Sequence, residues 1–421
     1  MRVGIACLIL LLCFGIASAK TIYVPDDYAK IQWAVDNASD GDIIIVRDGI
    51  YYENIDIDKS LTIKSENGSV NCIVQAAIRS DAVFEIYANN VTISGFDISN
   101  AIGVIGAAGI AIYGGDNCNI SFNEIHDNYY GIYLADIENP PGSGKYDPSN
   151  HNIILENNIH NNLHSGILNY RMYEGDSYNT ISANEIYYND FSGIYFIRSN
   201  TNFVKTNLIH NNMNGIYFQN SINNYVYMND FIDNAGSNIA GNSGNVLYTL
   251  DHKKIYIYNG RAYIGHLGNY YSDYTGTDSN GDGIGDTAYV VDSGDKDYYP
   301  LMLPFAYYLP PIVEISTNKY EYKNGDIMTL YLTFDNPNLN ALNVNFTLRL
   351  EIHTYSNTTL SYTIVDNRTL TLLPSYKKTF TLTKALPPVH QPFKACWHAE
   401  LYDSHSMILV SESIAEWKYE P

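Results

Sequence analysis

The most chemically suggestive stretch is Asp278-Ser279-Asn280-Gly281-Asp282-Gly283-Ile284-Gly285-Asp286. Oxygen donors at the first, third, fifth and ninth places, a glycine at the sixth and a carbonyl from Ile284 at the seventh match the start of a calcium-binding loop. Tyr289 stands where an EF-hand would carry its bidentate Glu, so the pattern fits the shorter Asp-rich loops of extracellular proteins. Structural Ca2+ held by Asp278, Asn280, Asp282, Ile284 and Asp286 is the expectation, with Asp273, Asp292 or Asp295 completing the shell. The other reading is an ordinary Gly/Asp turn. A second set is His126, His160 and His210, each one residue after an apolar position, with Tyr187 at the equivalent place between the last two. Imidazoles in file could bind copper or zinc; the bland alternative is a solvated polar row. A third set is Tyr133, Tyr195 and Tyr217, each following a Gly-Ile pair. Aromatic faces in a row suit sugar rings, although Tyr is common on pleated surfaces and this chain has 39 of them. Residues 135–150 and 171–179 interrupt the pattern as insertions. They carry Lys145, Arg171, Glu174 and Asp176, the weak candidates for a polysaccharide lyase base or a glycosidase carboxylate pair.

Those residues are positioned by a repeat. Five segments share the form apolar-x-x-Asn-x-apolar-x-x-Asn, with first asparagines Asn123, Asn157, Asn184, Asn207 and Asn229 spaced 34, 27, 23 and 22 residues apart. Gly109-Ile110, Gly131-Ile132, Gly166-Ile167, Gly193-Ile194 and Gly215-Ile216 recur with them. About 22 residues accommodate three short strands and their turns, and one such coil cannot bury a core alone. Stacked coils place like residues in columns. Two inward columns are expected, one of Ile120, Ile154, Ile181, Val204 and Val226, the other of Ile125, Ile159, Ile186, Ile209 and Phe231. Asn ladders are expected at the bends, with glycines easing the turns. The skeleton lacks the Leu-x-x-Leu-x-Leu of leucine-rich repeats, and its spacing does not fit a helix. Upstream, residues 43–46, 55–57, 61–63 and 91–93 read as strands. Residues 27–38 read as the one helix, its stripe of Ile31, Ala34, Val35 and Ala38 suited to capping an open coil end.

The segment Thr21-Ile22-Tyr23-Val24-Pro25 through Ile31-Gln32, Gly41-Asp42, Gly49-Ile50-Tyr51 and Glu53 resembles the opening of pectin-lyase-like β-helix proteins. The Asn-x-Ile-x-x-Asn coils resemble those of the NosD-like family. Residues 269–274, 282–286 and 299–301 look like the extension that closes such helices in secreted NosD-like proteins, many of them archaeal. The resemblance covers residues 20 to about 305. It implies an all-β, right-handed, single-stranded parallel β-helix with an N-terminal capping helix. It says little about activity, because lyases, hydrolases, binding modules and surface proteins share this superfamily. The family name brings copper delivery as a possibility.

Beyond Pro304, Pro310 and Pro311 the pattern changes to strict alternation, as in residues 327–334, 344–350, 379–382 and 396–401. That predicts an immunoglobulin-like β-sandwich. The expected organisation is a signal peptide over 1–19, β-helix over 20–250, closing extension over 251–305 and sandwich over 306–421. Arg2, the apolar run of residues 6–16 and Ala17-Ser18-Ala19 make the leader, and no other stretch reads as a transmembrane anchor. Export to the cell surface or exterior follows. A net charge of -21, from 45 acidic and 24 basic residues, excludes nucleic acid and anionic lipid as partners. Cys72, Cys118 and Cys396 remain after the leader and read as structural thiols. Seven sequons, at Asn37, Asn67, Asn90, Asn119, Asn345, Asn357 and Asn367, make a glycoprotein possible. The favoured function is a non-catalytic surface protein that binds polysaccharide or surface glycan, or that assembles with itself or other envelope proteins. A polysaccharide lyase or glycoside hydrolase is the first alternative. A periplasmic-type copper-binding protein is the second.

Overall fold

The computed structural model describes residues 19–103, 106–250, 253–291, 294–356 and 358–421. Residues 1–18 of the expected leader, Asp292 and the sequon at Asn357 lie outside the described residues. The chain forms two compact units, Met1–Ile153 and Ile154–Pro421.

In the first unit three parallel sheets wind around one interior. Their strands are Thr21–Val24, Ile43–Val46, Thr62–Ser65, Thr92–Ser94 and Asn119–Ser121; Gly49–Tyr52, Cys72–Gln75, Asp97–Ser99 and Glu124–His126; and Ile55–Ile57, Phe84–Ile86, Ala108–Tyr113 and Tyr130–Ala135. Register puts Ile22, Ile44, Ile63, Ile93 and Ile120 in one column, all fully buried. Ile98 faces Ile125 in another. The helix spans Ile31–Asn37, shorter than the 27–38 read from the sequence. The chain before it turns instead, with the Asp27 carboxylate accepting the Tyr23 N–H at 2.8 Å. The helix has no side-chain cap of its own. The Glu53 carboxylate, 21 or 22 residues on, accepts the N–H groups of Ile31 and Gln32 at 3.0 Å each. A remote carboxylate thereby satisfies two orphan donors at the positive end of the helix dipole. Ile31, Ala34 and Val35 are buried against Thr21–Val24, Ile43–Val46 and Ile55–Ile57, at the start of the sheets, as a cap must be.

The second unit repeats the coil with strands Thr180–Ser182, Phe203–Lys205 and Tyr225–Tyr227; Asn158–His160, Glu185–Tyr187, Leu208–His210, Asp230–Ile232 and Tyr270–Tyr271; and Ser165–Asp176, Ser192–Asn200, Asn214–Gln219 and Ser237–Gly241. Ile159, Ile186, Ile209, Phe231 and Tyr271 stand in one buried column, and Ile181, Val204 and Val226 in a second. The Asn ladders follow the same register. Along Asn157, Asn184, Asn207, Asn229 and Asn269, each of the first four passes a backbone N–H and a side-chain N–H to the amide oxygen of the next. Asn162, Asn189, Asn212 and Asn234 do the same. A third ladder, Asn202, Asn224 and Asn245, escaped the sequence reading.

The bends do not use glycine in the way the sequence suggested. The residue before a ladder Asn takes a left-handed backbone, as at Glu156, Ala183, Thr206 and Met228, with φ of 52°, 55°, 58° and 58°. The buried hydrogen bonds of the following Asn offset the modest cost of that conformation. The glycines of the Gly-Ile pairs instead face a crowded interior. A Cβ on Gly193 would lie 2.8 Å from the Gly215 carbonyl oxygen and 2.9 Å from Ile209 Cγ2. Close packing of coil on coil, not turn freedom, demands glycine there.

The extension supplies the last rung, because Tyr270–Tyr271 pairs with Asp230–Ile232. Its Asn269 ends the first ladder, whose final donors need an acceptor. The fully buried Asp297 provides it, accepting the Asn269 N–H at 2.7 Å, its side-chain amide at 3.2 Å and the Tyr271 hydroxyl at 3.3 Å. Burial pushes the Asp297 carboxyl up to about 7 despite those bonds.

The C-terminal part is a β-sandwich of the predicted kind. Ile312–Thr317, Ile327–Asn336 and Tyr376–Ala385 form one antiparallel sheet. Leu342–Thr354, Thr359–Leu372, Phe393–Asp403 and Leu409–Tyr419 form the other, with Glu321–Tyr322 added in parallel at its edge. Val313, Ile315, Leu330, Leu332 and Phe334 of the first sheet pack on Val344, Phe346, Leu348, Ala399 and Leu401 of the second. Asn345, one of the sequons, is buried and bonded to Thr369, which leaves no room for a glycan on its side chain.

Candidate functional site

The Tyr row is an aromatic cluster in the second unit. Leu168, Tyr195, Tyr217 and Ala240 stand opposite one another on successive strands, on the face away from the Ile167, Ile194, Ile216 and Ile239 column. The Tyr195 and Tyr217 rings lie 5.3 Å apart, edge to face. Phe191, from the turn before, sits 5.3 Å from Tyr195 and 5.5 Å from Tyr217. His164 lies 4.9 Å from Phe191, tilted by 50°, and is nearly parallel to Tyr195 at 6.2 Å. The four rings are half-buried. The Tyr195 hydroxyl is held by the Gln219 side chain. Leu168 is nearly buried. A fixed apolar surface rimmed by hydroxyl, amide and imidazole groups has the chemistry that engages both the C–H face and the hydroxyls of a sugar. Phe191 and His164 were not singled out from the sequence. Their signal was weak, one aromatic ring just before each Ser-Gly-Ile.

Tyr133 belongs to the first unit and to a different cluster. Its ring lies 5.9 Å from Tyr113 and 5.4 Å from Tyr130, and Tyr113 stacks on Tyr87 at 5.5 Å. Tyr87 donates its hydroxyl to Glu85 at 2.5 Å. Asp56, Glu85, Ala111 and Tyr133 share one outward row. Burial pushes the Glu85 carboxyl up to about 7, with Asp81 and Asp56 acting in the same direction. The sequence reading missed it, although Asp56 and Glu85 each stand between two inward apolar residues.

The insertions hold more structure than loops. Residues 135–150 include a hairpin of Ile137–Glu138 with Tyr146–Asp147, and Lys145 is exposed beside it. The strand Ser165–Asp176 runs through most of the presumed second insertion, leaving register only between Tyr170 and Gly175. The loop expected at 171–179 is therefore corrected to a bulge in a long strand, stabilised by continued pairing to Ser192–Asn200. Arg171 donates to the carbonyl of Asp176. The Asp176 carboxylate accepts Thr201 at 2.6 Å and Tyr178 at 3.2 Å, while Glu174 is exposed. Lys145 lies in one unit and the other three in the other.

The His row holds in the second unit, while His126 stands in the first unit opposite Ser99. His160, Tyr187 and His210 occupy one register, with Tyr187 stacked 4.8 Å from His160 and 4.9 Å from His210. The His210 ring faces Glu185 at 3.1 Å. His126 pairs with Asp97 at 3.1 Å and Asp127 at 2.8 Å. The bond to Asp97, opposed by burial and helped by Asp127, pushes the imidazole up to about 9.

In the Asp-rich loop each carboxylate already shapes the backbone. Asp278 accepts the N–H groups of Gly281, Asp282 and Gly283 at 2.8, 3.1 and 2.8 Å. Asp282 accepts Ile284 N–H at 2.8 Å, and Asp286 accepts Ser279 and Thr277. Those bonds hold the Asp286 carboxyl below its ordinary range. Asp286 Oδ2 and Asp278 Oδ1 are filled by three and two of these bonds, whereas Asp278 Oδ2 and Asp282 Oδ1 accept one each and keep a lone pair for a cation. Two expected completing groups are engaged elsewhere, Asp273 with Asn238 and Tyr289 and Asp295 with the N–H groups of Gly244 and Asn245.

A family described as periplasmic copper-binding protein (NosD) matches residues 35–276, more than half of the chain. The chain belongs to the NosD family. Among curated proteins, a cell surface glycoprotein of Methanothermus fervidus is 40% identical over 125 residues, which are 28% of this chain and 20% of that protein. The NosD-family chain thus spans about a fifth of that relative's length. Among solved structures, the pectin methylesterase PemA of Erwinia chrysanthemi overlaps it with a TM-score of 0.35 and 11% identity, over 61% of this chain and 90% of the other. An alginate lyase of a Paenibacillus species overlaps with a TM-score of 0.33 and 16% identity, over 54% and 95%. Overlaps this loose bear on no residue's role. No helix among the described residues is long and apolar enough to cross a membrane.

Proposed function

We propose that this NosD-family protein is an exported, non-catalytic component of a cell surface or envelope that holds glycan against the outer face of its second unit. The observation that carries the reading is the in-register pair Tyr195 and Tyr217, fixed by Phe191 and His164. A solenoid sheet holds such rings at fixed spacing, so little conformational freedom is lost on binding. The surface role is supported by the likeness to the Methanothermus glycoprotein and by the leader pattern of residues 1–19. The acidic surface would favour neutral or cation-bridged glycans over anionic ones.

Calcium is assigned a structural role in the same proposal. Asp278, Asn280, Asp282, the Ile284 carbonyl and Asp286 are the groups that would hold it, pinning the extension that supplies the last rung. Copper handling, which the family description names, is not favoured by the His row. Tyr187 separates His160 from His210, and His126 is committed to two carboxylates.

The test is binding of the purified chain to an array of cell-surface polysaccharides, with Tyr195→Ala/Tyr217→Ala beside it. Each stacked ring is worth about 1 kcal/mol, so losing both should weaken binding by roughly thirtyfold. Undiminished binding by the double variant, or no binding by the parent, would refute the reading.

A further inference from the structure

Outside the solenoid, the outer face of the larger sandwich sheet gathers donors of a different kind. Glu351 and His353 lie on Leu342–Thr354, and Cys396 and His398 lie on the neighbouring Phe393–Asp403. Glu351 stands directly opposite Cys396 in the antiparallel register. Period-2 alternation puts all four side chains on one face, opposite the packed face of Leu350, Ile352 and Trp397.

The donor atoms converge. Cys396 Sγ lies 3.1 Å from His398 Nε2 and 3.8 Å from His353 Nε2. The Glu351 carboxylate lies 3.9 Å from His353 Nε2 and 3.7 Å from His398 Nε2. One atom each of Glu351, His353 and Cys396 falls within a 4.8 Å span. Zinc bonds of about 2.3 Å to sulfur and about 2.0–2.2 Å to nitrogen or oxygen, arranged tetrahedrally, separate ligand atoms by roughly 3.4–3.6 Å. The spacings of 3.1–3.9 Å lie around that value, while His398 stands outside the group of three whose donor atoms all lie within 4.8 Å of one another. His398 Nδ1 is buried and makes no hydrogen bond; the Glu412 carboxylate lies 3.6 Å away, beyond hydrogen-bond reach. Glu416 lies opposite Cys396 on the next strand and adds negative charge.

We propose that Glu351, His353 and Cys396 form the core of a zinc-type site on the sandwich, binding one borderline-soft divalent ion through a thiolate, an imidazole and a carboxylate, with His398, beside Cys396 and Glu351, turning in as the fourth ligand. Sulfur and imidazole together select such an ion over calcium, so this site and the Asp-rich loop take different metals. On binding, the Cys396 thiol gives its proton to solvent and the metal–sulfur bond forms. The ion would clasp two central strands of the sheet. The site lies beyond residues 35–276 and does not depend on the glycan reading.

The test titrates the full chain, kept reduced and calcium-saturated, with cobalt(II) and then zinc. One equivalent of cobalt should give a thiolate-to-metal charge-transfer band in the near ultraviolet and the strong visible bands of a tetrahedral ion. One equivalent of zinc should bleach both. The only other thiols after the leader, Cys72 and Cys118, are buried in the solenoid, so Cys396→Ser should abolish the charge-transfer band. His353→Ala should weaken zinc binding at least about 100-fold, since even outer-shell losses cost about 10–100-fold. Absence of the band in the parent chain overturns the proposal, whatever the folding of the variants. So does a band that persists in Cys396→Ser.

Discussion

Replacing Asn207 by Ala should destabilise the second unit far more than its size suggests. Asn207 is almost fully buried. Its side-chain N–H groups donate to the carbonyls of Ile181 and Lys205 and to the amide oxygen of Asn229, at 2.9, 3.1 and 2.9 Å. Its own oxygen accepts the Asn184 N–H at 3.0 Å and the Asn184 side-chain amide at 3.0 Å. The Asn184 side chain keeps two other acceptors, the carbonyls of Ile154 and Ser182. Its backbone N–H has none. Alanine therefore strands one buried amide donor and weakens two carbonyls, at about 1–3 kcal/mol for each group left unsatisfied. It also removes the side-chain bonds beside Thr206, whose left-handed conformation is then held only by its hydroxyl and by the Asn207 backbone N–H. The sum is about 3–5 kcal/mol after relaxation and water entry. Chemical denaturation should show a large fall in midpoint, and hydrogen exchange should show lost protection at Asn184 and its neighbours. The exposed Asn71→Ala is the control, within about 0.5 kcal/mol of the parent. A change below about 1 kcal/mol in Asn207→Ala would refute the view that the ladders hold the coils together.

Two further outcomes can be checked. Chelation should lower the thermal midpoint of the extension relative to millimolar calcium, by up to about 2.7 kcal/mol at a hundredfold excess over Kd; Asp278→Ala/Asp282→Ala should melt alike with and without the ion, and equal melting of the parent in both conditions counts against calcium. His126 has a raised pKa when folded, about 9, so its pairing with Asp97 contributes fully below the unfolded value near 6.5 and is lost as pH rises through about 9. Stability should fall by about 1–2 kcal/mol across that window after allowance for solvent screening, and Asp97→Asn should flatten the slope; an unchanged slope in that variant would dismiss the pairing.

The inward columns and the first two Asn ladders were readable because a solenoid converts sequence period directly into spatial stacking. Ile186, Ile209 and Phe231 sit where their spacing put them. The third ladder was equally periodic, with Asn179, Asn202 and Asn224 each two residues before Ile181, Val204 and Val226, but those asparagines fall outside the apolar-x-x-Asn form by which the coils were recognised. Glycine's role was misjudged for a related reason. Composition says that a corner is tight, but not whether dihedral freedom or a neighbouring carbonyl makes it so, and only the 2.8 Å approach at Gly193 decides.

The sequence alone determined what depends on local pattern. It carried the coil period, the alternation of the sandwich strands, the cap stripe of Ile31, Ala34 and Val35, and the oxygen-donor order of the Asp-rich loop. Tertiary structure decided what depends on convergence from distant segments. It set the Glu53 carboxylate on the helix terminus, Asp297 beneath the last Asn, Phe191 between Tyr195 and Tyr217, and Cys396 against His353. Each of those partnerships joins residues whose separation along the chain carries no period. Their chemistry arises from side-chain direction and burial, which exist only once the strands have paired.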